Sequence, residues 1–239
     1  MTGVGTPPAP AVVAAFKRRG WLVVGVDAEF HPRQVNQFYL VSRGDQPGFV
    51  DELLMLVRRE RTTLVVPTRD VDALAVARSV HEFRRLGAGV YLPDYGTIET
   101  LSGGDGALSV VRRLGIDAYD PPGFPAPPMP GVQWFEVSAC RDARLPLSAV
   151  ACAVHELWAD AGGSSVTAER RKGEADVEEF AARAIHALGI PGPSTVLVRR
   201  APDGRLGVER VSLRPCEYAP FTDDMLDAFL SLWERDQPQ

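Results

Sequence analysis

Trp21-Leu22-Val23-Val24-Gly25-Val26-Asp27 is an almost unbroken apolar run that closes on an acid. A strand apolar on successive residues is covered on both faces, which is how parallel strands between helix layers read. Working outward, Val12 to Arg19 reads as a helix stopped by Gly20. Downstream, Phe38-Tyr39-Leu40-Val41 is a second short strand, and Pro47 precedes a helix from about Phe49 to Arg59. That helix places Val50, Leu53, Leu54 and Val57 on one face. Thr63-Leu64-Val65-Val66 is another buried strand, closed by Pro67. A helix over Val71–Arg85, a strand at Val90-Tyr91-Leu92, and short helices around Thr97–Ser102 and Ala107–Leu114 complete residues 1–116. Alternation of this kind predicts an α/β domain on a doubly wound, Rossmann-like parallel sheet. Such a sheet has a buried strand before its first glycine loop, and Met1 leaves no residues for it ahead of Gly3-Val4-Gly5, so either the native start lies upstream or the sheet has lost a central strand.

Residues 117–130 carry six prolines, at 121, 122, 125, 127, 128 and 130. They exclude a helix or a central strand and predict an extended, stiff linker. Residues 131–239 have another rhythm. Gln133–Cys140 and Leu147–Val154 read as paired strands joined by a turn at Arg141–Arg144. Ala175–Leu188 is an amphipathic helix ended by Gly189, and Ser194–Arg200 with Arg205–Leu213 form a hairpin across Pro202-Asp203-Gly204. A last helix starts at the N-cap Thr222, with Asp223 and Asp224 in its first turn, and runs to about Arg235. The expectation is an α+β domain on an antiparallel sheet.

Composition excludes several functions. A net charge of −5, spread along the chain, gives no electrostatic footprint for nucleic acid. The pairs Arg18-Arg19, Arg58-Arg59, Arg84-Arg85 and Arg112-Arg113 fall at helix ends, where they complement the helix dipole. No apolar run approaches membrane-spanning length, and no basic region followed by an apolar core marks a secretory signal. Cys140, Cys152 and Cys216 are sparse and odd in number, which fits a reducing cytoplasm. His31, His81, His155 and His186 lack metal-ligand spacing and read as surface or packing residues.

The order of motifs resembles the ATP-grasp superfamily, specifically carboxylate–amine ligases and carbamoyl-phosphate-synthase-like proteins. Thr2-Gly3-Val4-Gly5, Val24-Gly25-Val26-Asp27, Pro67-Thr68-Arg69-Asp70 and Arg113-Leu114-Gly115-Ile116 match that family's pre-ATP-grasp domain. Gly131 onward resembles the second ATP-grasp subdomain, up to Val208-Glu209-Arg210-Val211-Ser212-Leu213-Arg214, which stands where the family carries Glu-x-Asn-Pro-Arg. The resemblance implies that Leu197, Arg210 and Ser212 occupy the magnesium-ligand positions and that only Arg214 survives. It also implies a small phosphate-clamping subdomain between the halves; residues 117–130 stand in its place, with Lys172 the only lysine beyond them. Gly103-Gly104-Asp105-Gly106 stands where the family commonly has a lysine.

Magnesium takes hard oxygen ligands. At an effective dielectric near 20, a guanidinium about 4 Å from a divalent ion is repelled by roughly 8 kcal/mol. The resemblance therefore implies a degenerate ligase scaffold that acts without turnover, as a binding or partner subunit. Its partners would be an intact ATP-grasp ligase or pathway enzyme, a second copy in a homodimer, or a small molecule, and no cofactor is expected. The alternative is an active enzyme that uses ATP and magnesium with a second chain, or that reuses the inter-domain cleft for metal-free chemistry.

Candidate crevice residues are Gly3, Gly5, Asp27, Thr68, Asp70 and Arg214. Asp27 at a strand end could hold a ribose hydroxyl. The loop that follows Gly5 lacks a third glycine, and Pro7 and Pro8 remove donors. Asp70 reads foremost as a cap for the next helix, and Arg214 as a partner of Glu209 or Glu217. Cys152 and His155 point to opposite faces of one strand, which argues against a catalytic pair. Trp134, Trp158 and Trp233 read as core or interface aromatics.

Overall fold

The protein is described here by a computed structural model covering residues 1–32, 35–102, 106–119, 129–147, 150–160 and 165–236. The first half runs α1 (Ala9–Arg18), β1 (Val24–Asp27), β2 (Gln37–Leu40), α2 (Phe49–Glu60), β3 (Leu64–Val65), α3 (Asp70–Arg78), α4 (Val80–Arg85), β4 (Gly89–Val90), α5 (Tyr95–Ser102) and α6 (Gly106–Arg113). The second runs β5 (Gln133–Arg141), β6 (Ala151–Ala159), β7 (Val166–Arg170), α7 (Ala175–Ala187), β8 (Gly192–Arg200), β9 (Leu206–Ser212) and α8 (Asp223–Arg235).

The strands of the first half are parallel, but they do not form the doubly wound sheet that the alternation predicts. Among the described residues they make two separate pairs, β1–β2 and β3–β4. Met1–Gly3 occupies the position between β1 and β3, where Val26 N–H donates to the Met1 carbonyl at 3.0 Å and Thr2 N–H to the Val66 carbonyl at 3.2 Å. Thr2 forms an isolated parallel bridge with Val26. The expected Val71–Arg85 helix is two helices, broken at Ser79, whose φ of −125° is not helical. Helix α1 begins three residues early because Pro10 is accommodated in its first turn.

The second half is one antiparallel sheet in the order β7-β6-β5-β8-β9. Strand β5 lies at its centre and is buried on both faces. Alternate residues divide the sheet. Phe135, Val137 and Ala139 pack with Val177, Phe180, Ala184 and Ile185 of α7. Cys140 and Ala153 pack with Met225, Leu226 and Phe229 of α8. The β8–β9 turn works as its residues require: Gly204 has φ +83° and its N–H donates to Ala201 O at 2.9 Å. Strand β7 has no counterpart in the sequence expectations, and β6 begins later than expected, at Ala151.

Between Leu197 and Val198 the β8–β9 register shifts, so that Leu197 faces Arg210 while Val198 faces Val208. The extra residue is Glu209, and a bulge of this kind re-aims side chains. The outer edge of β9 is covered by the start of the linker: Val208 N–H donates to Asp117 O at 2.8 Å and Tyr119 N–H to Val208 O at 2.9 Å. The expected linker conformation over 120–128 lies outside the described residues, as do Gly103–Asp105.

The halves share a core. One apolar cluster contains Val26, Phe49 and Phe83 together with Phe135, Phe180 and Val196. Phe229 of α8 makes edge-to-face contacts with Phe16 of α1 at 6.2 Å and with Tyr91 at 5.6 Å. At the surface, Arg18 and Arg19 pair with Asp223 and Asp227 of α8.

Candidate functional site

The face of the sheet that includes Trp134, Glu136 and Ser138 on β5 also carries His155 on β6, Leu197 on β8 and Arg210 on β9. Registers Glu136–Leu197, Glu136–His155 and Leu197–Arg210 bring them together. Two of the positions that the resemblance assigns to magnesium ligands, Leu197 and Arg210, thus lie together on this face. Leu197 is 2% exposed and packs with Trp134 and Leu157. Arg210 donates to the Tyr218 hydroxyl at 2.9 Å and lies 3.0 Å from Glu217. Burial works against the Arg210 charge, but Glu217 and Tyr218 outweigh it and hold its pKa above the usual value.

Three carboxylates lie near these positions, and each is committed. Glu217 also meets Arg214 at 3.0 Å. Asp70, on α3, faces Arg214 at 3.5 Å. Glu136 accepts the N–H groups of Glu217, Tyr218 and Ala219 at 2.8, 2.6 and 3.1 Å. Burial pushes the Glu136 carboxyl up to about 7, against those three donors. The residues present do not fit magnesium: a buried leucine and a guanidinium stand at two of the positions that the resemblance assigns to its ligands, and the nearby acids already have donors. Among the described residues no group of three His, Cys, Asp or Glu could hold a metal ion.

Ser212 has a different task. Its hydroxyl accepts from Arg214 N–H at 3.2 Å and from Nε at 3.1 Å. Thr195, opposite Ser212, donates to the Arg214 carbonyl at 2.8 Å. Arg214 is therefore held by Ser212, Asp70 and Glu217, and of its two expected partners only Glu217 is one of these. Glu209 instead meets Arg199 at 3.3 Å and accepts from Trp134 Nε1 at 3.2 Å. Asp70 does not cap α3: it is the first helical residue, Arg69 is the N-cap, and no side-chain cap bond forms.

The other crevice candidates form a second cluster. Asp27 is 2% exposed, and both its oxygens are engaged: Oδ2 by Gly5 N–H at 2.9 Å, Oδ1 by Ala28 N–H at 2.7 Å and by Arg69 Nη1 at 3.0 Å. Arg69 also reaches Asp72 at 3.0 Å. Thr68 is fully buried and donates to the carbonyls of Thr2 at 2.7 Å and Gly3 at 3.1 Å. Arg69 packs so closely on Gly3 that a Cβ there would lie 2.8 Å from Nε, and His31 covers Gly5 in the same way, at 2.0 Å. The glycines thus admit the protein's own Arg69 and His31. Asp27 is the anchor of an internal network in which three donors meet its two oxygens.

Burial pushes Cys140 and Cys152 up to about 12 and pulls His155, 1% exposed, down to about 4. Trp134 is core, whereas Trp158 is 39% exposed beneath Arg171. Sequence reasoning missed Glu136, Tyr218 and Arg69. Only Glu136 had a signal: an acid inside the apolar run Trp134-Phe135-Glu136-Val137 must have buried donors.

No protein-family model matches the chain, and no curated protein matches its sequence. Solved structures do match in fold. A pyruvate carboxylase from Rhizobium etli aligns over 86% of this chain and 20% of its own, with 14% identity and a TM-score of 0.56. An L-amino acid ligase from Bacillus licheniformis aligns over 86% of this chain and 64% of its own, with 14% identity and a TM-score of 0.62. A biotin carboxylase from Campylobacter jejuni aligns over 96% of this chain and 69% of its own, with 9% identity and a TM-score of 0.63. The chain therefore has the ATP-grasp fold of carboxylases and ligases, and it spans a fifth of the pyruvate carboxylase and under two thirds of the amino acid ligase. At such identities the likeness carries the fold alone. No described helix is long and apolar enough to cross a membrane.

Proposed function

We propose that this chain is a degenerate ATP-grasp protein that works by binding, as a partner subunit of an intact ligase or pathway enzyme, without ligase turnover of its own. The observation that carries the reading is the Leu197–Arg210 pair on the inner sheet face, with Arg210 neutralised by Glu217 and bonded to Tyr218. A divalent ion there would meet a guanidinium, and phosphoryl transfer without a metal lacks its main charge stabilisation. A second support is length. Tyr119 is docked on β9 and Val132 precedes β5, and the stretch between them is too short to hold a phosphate-clamping subdomain. The cytoplasm, a homodimer and a small-molecule ligand belong to the same proposal.

The test is turnover. The purified chain, supplied with ATP, magnesium, mixed carboxylates and amines, is expected to release no ADP above the protein-free rate. Sustained ADP release that scales with protein, and is lost in Arg214→Ala, would establish the active-enzyme reading instead.

A further inference from the structure

We propose that the cavity between the first two turns of α7 and the start of β6 is a binding site for a small organic amine, a cation carried on an apolar body. The cavity holds about 610 Å3, within the range of small-ligand sites. One wall comes from Leu147, Val150 and Cys152. Cys152 lies opposite Ala139 in the β5–β6 register, and therefore on the α7 face of the sheet. The other wall is α7 itself, through Ala175, Glu178, Glu179 and Ala182. Their spacing, i, i+3, i+4 and i+7, puts these four on one helix face. It lies beside the face that buries Val177, Phe180, Ala181 and Ala184. The two alanines leave that wall low, so apolar groups frame the room around two carboxylates.

The charges select the ligand. Glu174 and Asp176, just ahead on the chain, are taken by Arg200 at 2.7 and 2.9 Å. Glu178 is half-buried, and its carboxylate has no hydrogen bond or ion pair among the described residues. Glu179 meets Arg183 at 3.9 Å on the exposed helix surface. Among the described residues no arginine, lysine or histidine lines the cavity. A half-buried carboxylate between apolar walls is costly without a cation, and these walls supply none. The field of Glu178 reaches the opposite wall: burial first, and the Glu178 charge second, push the Cys152 thiol up to about 12. The thiol is therefore neutral and adds no competing charge. An ammonium supplies the missing charge, and its hydrocarbon body covers Leu147, Val150 and Ala182. The cavity lies on the opposite face of the sheet from Leu197 and Arg210, so the inference goes beyond the partner reading and does not rest on it.

The test is amide NMR of the isotope-labelled 239-residue chain. It is titrated with phenethylamine, phenethyl alcohol and phenylpropionate at about pH 7, where the amine is a cation. Saturable shifts are expected at the amides of Val150, Cys152, Glu178 and Ala182. The amine is expected to bind about tenfold more tightly than the alcohol, and the carboxylate most weakly. In Glu178→Gln the preference for amine over alcohol is expected to shrink to about twofold or less. The same spectrum reports whether that variant folds, and the wild-type comparison of amine with alcohol stands without it. Equal binding of amine and alcohol by wild type, no saturable shift at these amides, or a preference unchanged in Glu178→Gln overturns the proposal. ADP release does not enter, so failure here leaves the turnover test untouched.

Discussion

Glu136→Ala is expected to destabilise the protein by at least about 3 kcal/mol, because it orphans three donors and each unsatisfied buried N–H costs about 1–3 kcal/mol. The donors belong to Glu217, Tyr218 and Ala219, so the loss falls on the segment that roofs Arg210. Glu136→Gln keeps one oxygen and is expected to fall between. Urea denaturation reads both, and a Glu136→Ala cost under about 1 kcal/mol would contradict the account. The same carboxyl gives a pH signature. Burial raises it from 4.5 to about 7 in the folded protein. The folded state thus takes the proton first, and the contribution is complete below pH 4.5 and lost as pH rises through about 7. His155 acts in the opposite sense, because burial lowers its pKa to about 4 and its contribution is lost as pH falls. The readable quantity is therefore the difference between wild type and Glu136→Gln, and the wild-type advantage is expected to shrink from pH 5 to pH 8.

Phe229→Ala is expected to cost about 3–5 kcal/mol, the usual range for removing a buried phenylalanine. Phe229 is 2% exposed and touches Phe16 and Tyr91 from the other half of the chain. A shared core makes a second expectation: wild type and variant each unfold in one transition by near- and far-ultraviolet dichroism. Two separated transitions, with only the second shifted, would show that the halves are held independently.

Much of the fold is legible in the residues because burial writes it there. The apolar run ending in Asp27, the periodic helix before Gly189 and the Pro202-Asp203-Gly204 turn each name their element locally. What escapes the sequence depends on partners distant in the chain. The two parallel pairs and the place of Met1–Gly3 between them depend on Val26 and Val66, which are distant in the chain. Strand β7 escapes because Val166-Thr167-Ala168-Glu169-Arg170 is an edge, half solvated, with little apolar signal. At the site, the sequence singles out Leu197 and Arg210, and the structure brings them to one sheet face. The companions were not visible: Asp70 reads as a cap and proves to face Arg214 across the halves. Nor did the sequence say that Gly3 and Gly5 make room for Arg69 and His31.

The most direct test of the central claim is thermal unfolding of the isolated chain with and without millimolar ATP and magnesium. A ligand at 100 times its Kd would stabilise the fold by about 2.7 kcal/mol. The account expects the two curves to superimpose. A saturable rise in Tm that needs both ATP and magnesium, and disappears in Arg214→Ala, would contradict it.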